Sequence, residues 1–283
     1  KKLERLREIL ATVADLNGAQ GVLGWDQQTY MPSMAAEARG QQLGTLGRIT
    51  HDIATSAELG NLLDELKGFA VDLDPDSDDS RMIKFAVRDF EMATRVPGEF
   101  VEEQAQTIAL ASQAWTEAKE KSDFAHFRPH LEKVVDLTHR LIGFFPPSAH
   151  PYDILLDMYE PEMKTADVKT IFSDLHPQQV DLIKRISTKP QVDDSFLHQP
   201  FDEKKQWDFG VDVITRFGYD WRRGRQDRSA HPFTTNFGID DVRITTRFDP
   251  ERAASALFST MHESGHAMYE QGVDPALRRS LLA

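Results

Sequence analysis

Cysteine is missing from this sequence, which removes disulfides and thiolate metal ligands together, so any metal must be held by nitrogen and oxygen. Long apolar runs are missing too. No stretch approaches the roughly 20 residues that a membrane-spanning helix requires, and Lys1-Lys2-Leu3-Glu4-Arg5-Leu6-Arg7 has no apolar segment after its charges, as a secretory signal would. The expectation is a cytoplasmic protein with no membrane partner. Positive charge is in deficit. With 46 acidic against 33 basic residues the net charge is -13, which argues against a nucleic-acid surface. An initiating Met is absent, and Leu281-Leu282-Ala283 carries no turn or cap signal, so both ends are expected to be cut.

What is present is helical. Leu3, Leu6, Leu10, Val13 and Leu16 recur at helical spacing, predicting an opening amphipathic helix. It leads into Gly24-Trp25-Asp26 and on to Pro32, a segment read as core packing. From about 33 to 67 helix formers continue, with Gly40, Gly44 and Gly47 spaced to permit close helix packing. The acidic stretch 71–80 lacks the glycine and terminal glutamate of an EF-hand and reads as a solvated loop, with Asp79 or Ser80 capping the next helix. Helices are expected near 81–95, 98–121, 125–144 and 165–187, and from a cap at Asp202 to about 217. One mostly helical domain across 1–283, incomplete at its C-terminus, accounts for these elements.

At Gly218 the character changes. Arg222, Arg223, Arg225 and Arg228 gather in an otherwise acidic chain and have two readings: recognition of an acidic group, or internal salt bridges with neighbouring aspartates. Thr234–Phe237 and Val242–Phe248 are β-rich around a turn at Gly238–Asp241, predicting a short β-hairpin. An extended peptide could pair with such an edge.

The chemistry is concentrated in His262-Glu263-Ser264-Gly265-His266. Histidines four residues apart share a helix face and can reach one zinc-sized ion, and the adjacent Glu263 can act as general base toward water. Asp249 is expected to cap this helix, Pro250 to occupy its first position and Gly272 to close it, giving about 20 residues. Glu270 lies about 12 Å along the axis from His262, too far to share the ion, and Asp274 is a weaker substitute. Tyr269 and Gly272 stand where a metzincin needs glycine and histidine.

Taken in order, His231-Pro232-Phe233, Asp241-Val242-Arg243-Ile244-Thr245 and His262-Glu263-Ser264-Gly265-His266 resemble the carboxypeptidase Taq family of metallocarboxypeptidases. Gly24-Trp25-Asp26, the 152–161 segment and the 218–228 segment look similar to it as well. The resemblance implies a mainly α, saddle-like zincin fold of neurolysin type, a homodimer, and removal of C-terminal amino acids from peptide substrates with broad specificity by a zinc or cobalt enzyme. It implies His262 and His266 as metal ligands, Glu263 as catalytic base, and His231 and Arg243 near the substrate. The family's third ligand is a glutamate in a His-Glu-Ser segment that this chain does not contain, so the resemblance implies an enzyme as the complete protein. With two ligands the 283-residue chain alone is expected to hold metal less tightly, its own activity being left open. Two alternatives are a related helical oligopeptidase or dipeptidyl carboxypeptidase, and a non-catalytic helical binding module.

Overall fold

α1 (Lys2–Thr29) runs unbroken through Gly24-Trp25-Asp26 and stops short of Pro32 in the computed structural model, which describes residues 1–283. α2 (Ala36–Ala54), α3 (Ala57–Ala70), α4 (Asp78–Ala93), α5 (Gly98–Lys121), α6 (Phe124–Gly143), α7 (Tyr152–Asp157), α8 (Thr165–Ser187) and α9 (Glu203–Phe217) come after it. Three short strands are next, β1 (Gln226–Arg228), β2 (Thr234–Asn236) and β3 (Val242–Thr246), and then α10 (Ala253–Gln271). The chain is mainly helical, as expected. Its contacts divide it into two units, residues 1–134 with 197–283, and residues 135–196.

In the larger unit, one core is built by Leu6, Ile9 and Leu10 of α1, Leu59, Leu62, Leu63 and Leu66 of α3, and Met82, Ile83 and Ala86 of α4, with Leu281 and Leu282 packed on it. Each fully buried leucine or isoleucine there contributes roughly 1.5–3 kcal/mol. The small residues of α2 do what their spacing predicted. Gly40 and Gly44 are buried against α5, and a β-carbon at Gly44 would come within 2.9 Å of the Gln106 side chain. The run from 33 to 67 is nevertheless two helices, because the Ser56 hydroxyl accepts from Leu59 N and starts α3 afresh.

Two expected caps are corrected. Ser77, rather than Asp79 or Ser80, caps α4 by accepting from Ser80 N at 3.3 Å, so the helix begins earlier. Ser77→Ala is expected to lower stability by about 1 kcal/mol, read as a lower urea midpoint at unchanged slope. The helix that carries His262 and His266 starts later than expected. Asp249 accepts from the N–H of Glu251 at 2.9 Å, which closes a local turn over Pro250, and α10 begins at Ala253 without a side-chain cap. Gly272 does close its last turn, with a right-handed backbone.

In the smaller unit Asp153 of α7 is buried and accepts from the N–H and hydroxyl of Thr165, at 2.7 and 2.6 Å, and from His150 N. These bonds, the Thr165 hydroxyl first, hold its carboxyl below the usual range and fix the start of α8.

The hairpin forms with β2 and β3 antiparallel, Thr234 opposite Ile244 and Asn236 opposite Val242. A strand that sequence did not predict completes the sheet. β1 pairs parallel with β3 on its other side, giving the order β1-β3-β2. Gln-Asp-Arg has little β preference of its own, so partner pairing decides its state.

Candidate metal centre

α10 is held by the face it buries. Ala256, Thr260, Glu263, Ser264, Ala267 and Gln271 recur at three- and four-residue intervals and are all buried. Ala267 packs with Ile214 of α9, Tyr219, Val242 and Ile244, and the Thr260 hydroxyl lies 3.1 Å from that of Thr246 on β3. The opposite stripe, Phe258, His262, His266 and Tyr269, is exposed.

On that stripe the Nε2 atoms of His262 and His266 approach to 3.2 Å, with rings at 86°. Two Zn–N bonds of about 2.0–2.1 Å meeting near the tetrahedral angle place their nitrogens about 3.3 Å apart. One shared proton or one shared cation satisfies the observed separation, so the pair fits a zinc-sized ion. No group of three or more histidine, aspartate or glutamate side chains in the chain is placed so that it could hold a metal ion. Glu270 accepts from Asn236 Nδ2, Asp274 accepts from Ala276 N at 2.8 Å, and neither forms a three-residue ligand group with the histidine pair.

Glu263 is buried beside its exposed neighbour His262. Its Oε2 accepts a 2.6 Å hydrogen bond from the Thr234 hydroxyl. Sequence did not single out Thr234. The alternation of a hairpin strand could have put Thr234 and Asn236 on one face, but not shown that this face meets α10.

Arg243 occupies the other face of the sheet. Alternation along β3 turns it away from Ile244 and α10, onto Trp25 of α1 at 4.4 Å and Phe237 at 4.9 Å. Its fork is filled by Asp241 at 2.8 and 2.7 Å. His231 is exposed on the loop before β2, and its Nδ1 lies 2.6 Å from the Pro232 carbonyl, so Nδ1–H donates there and Nε2 points outward as an acceptor in the neutral ring.

The cationic segment is consumed internally. Arg222 and Arg223 pair with Asp220, Arg225 with Asp227, and Arg228 with Glu203. Arg223 also donates to the carbonyl of Gln271 at 2.8 Å, and the Gln271 amide spans Asp220 N and O. The segment therefore clamps the C-terminal end of α10, where cations complement the helix dipole. The Asp220 carboxyl is pulled down to about 2, by Arg222 foremost and with help from Arg223. A depressed carboxyl contributes fully above its ordinary range and loses that contribution as pH falls through the folded value. Protection of the Asp220 and Gln271 amides, measured as exchange relative to the intrinsic rate at each pH, is expected to be unchanged down to about pH 4 and to fall toward about pH 2.

A model of the carboxypeptidase Taq (M32) metallopeptidase family matches residues 5–283. The chain is 33% identical over 271 residues to Carboxypeptidase 1 of Bacillus subtilis, covering 95% of this chain and 54% of that protein. It is 34% identical over 273 residues to Thermostable carboxypeptidase 1 of Pyrococcus furiosus, covering 94% and 54%. Among solved structures, the M32 carboxypeptidase of Deinococcus radiodurans R1 superposes with a TM-score of 0.82 at 40% identity, covering 99% of this chain and 56% of that one. The Pyrococcus furiosus carboxypeptidase in an apo-Mg form gives 0.82 at 32% identity, covering 99% and 56%. The chain spans just over half the length of the relatives it matches.

Proposed function

The chain belongs to the carboxypeptidase Taq (M32) family of metallopeptidases, and from that premise we propose that it supplies the general base and two metal ligands of a metallocarboxypeptidase releasing single C-terminal amino acids from peptides with broad specificity. The observation that carries this reading is the convergence of His262 and His266 Nε2, 3.2 Å apart, beside the buried carboxylate of Glu263.

A divalent ion held by the two imidazoles, zinc or cobalt in this reading, would supply a Lewis acid for the scissile carbonyl and lower the pKa of water at the site. Glu263 takes a proton from the attacking water and returns it to the leaving amine as the C–N bond breaks. β2 is an edge strand of the sheet, so a substrate pairing with it in extended form would be held beside Glu263. In this reading His231 lies near the substrate, and Arg243 would reach it from the sheet face turned away from α10. His231 would donate to the developing oxyanion as imidazolium, since its Nδ1–H is already engaged. Arg243 would meet a substrate carboxylate only by giving up Asp241. A homodimer and a cytoplasmic location complete the proposal.

Products test it. A peptide blocked at its N-terminus, incubated with Zn²⁺ or Co²⁺ and a form of the protein that carries the third ligand, is expected to lose single free amino acids from its C-terminus. Release of dipeptides, or of internal fragments, would instead place the protein with the dipeptidyl carboxypeptidases or oligopeptidases.

A further inference from the structure

We propose that Thr234 is the positioning residue for the general base, a role that rests on the reading of Glu263 above. The Thr234 hydroxyl lies 2.6 Å from Glu263 Oε2 and 2.9 Å from the carbonyl oxygen of the same residue. It has one proton to give, and the shorter, charge-assisted contact to the carboxylate takes it. The other carboxylate oxygen, Oε1, accepts no hydrogen bond from the protein and is not sealed from solvent. One oxygen is thus tied while the other is left for water.

The tie comes from a rigid element. Thr234 is β-branched, which restricts its χ1, and it sits in a strand whose register is fixed by pairing with Ile244. The supporting β3 is buried at Val242, Ile244, Thr245 and Thr246. A glutamate has three side-chain torsions, and fixing its end limits the arc over which Oε1 moves relative to the histidine pair. Misplacement by about 1 Å can cost on the order of 100-fold in rate.

A purely structural role for the bond has a built-in control. Asn236, two residues along the same strand, donates to Glu270 on the same helix. If these bonds only dock strand to helix, Asn236→Ala and Thr234→Val should behave alike.

The test uses Thr234→Val, Thr234→Ala, Thr234→Ser and Asn236→Ala. In selectively labelled protein without added metal, three-bond couplings of the Glu263 side chain are expected to report one rotamer in the wild type, Thr234→Ser and Asn236→Ala. They are expected to be averaged in Thr234→Val and Thr234→Ala. With Zn²⁺ and a blocked peptide, both loss variants are expected to lower kcat about 10- to 100-fold at unchanged KM and unchanged zinc affinity, with Thr234→Ser restoring it. A single Glu263 rotamer persisting in both loss variants would overturn the proposal. So would a matching loss in Asn236→Ala. Glu263→Gln separates the two roles: turnover retained there removes the base assignment itself, whereas an inactive Glu263→Gln beside a fully active Thr234→Val removes only the positioning role.

Discussion

Glu263→Gln is expected to lower turnover by roughly 10²- to 10⁴-fold, the range that a positioned general base contributes. Glutamine has the same shape and can still accept from the Thr234 hydroxyl through its carbonyl oxygen, so the packing of a residue that is 7% exposed should survive. It cannot take a proton from water. Zinc affinity is expected to stay the same, because His262 and His266 lie on the exposed stripe of the helix and neither depends on the Glu263 side chain for its approach. Release of C-terminal amino acids, measured beside zinc content in the same preparation, reads both. Turnover within a few-fold of wild type would remove Glu263 from the mechanism.

Gly224→Ala is expected to cost roughly 3 kcal/mol or more and to lower the thermal midpoint by several degrees. A β-carbon there would lie 2.1 Å from the Tyr219 hydroxyl oxygen and 2.2 Å from the carbonyl oxygen of Val242. Neither neighbour can move cheaply. Tyr219 is buried, its hydroxyl donates to that same carbonyl at 2.8 Å, and burial pushes the phenol's pKa up. On either side of the glycine, Val242 N donates to Arg223 O at 2.8 Å and Ile244 N to Arg225 O at 2.9 Å. A bulkier residue at 224 must therefore part β3 from its neighbour, and β3 holds β2 and Thr234 in place. Calorimetry of the variant checks this. An unchanged midpoint would mean that the segment relaxes without disturbing the strand.

The parts of the site that sequence revealed are those fixed by local geometry. Histidines four apart on a helix meet whatever surrounds them, so the approach of His262 to His266 could be read directly, and the hairpin came from two β-rich runs around a glycine-containing turn. Thr234 and Glu263 are 29 residues apart and meet only because the strand packs on the helix. Nothing in the spacing of either residue carries that. The arginine cluster left two readings open, and the local aspartates decided it: Asp220 and Asp227 are close enough in sequence to capture Arg222, Arg223 and Arg225. The role of that cluster in clamping α10 depends on Gln271, 51 residues from Asp220, and was not legible. The misplaced start of α10 has a similar cause. Asp249 has the chemistry of a cap, but its carboxylate closes a turn on Glu251 before the helix begins.

The central claim is that His262 and His266 share one ion, and titration of the metal-free chain with Zn²⁺, against His262→Ala and His266→Ala, tests it most directly. The expected result is a saturable site of one zinc per chain that weakens sharply in either variant, with the Nε2 resonances of both histidines shifting together. A binding isotherm that is the same in both variants as in the wild type, or no site-specific binding at all, would contradict it and leave a helical module without a metal centre of its own.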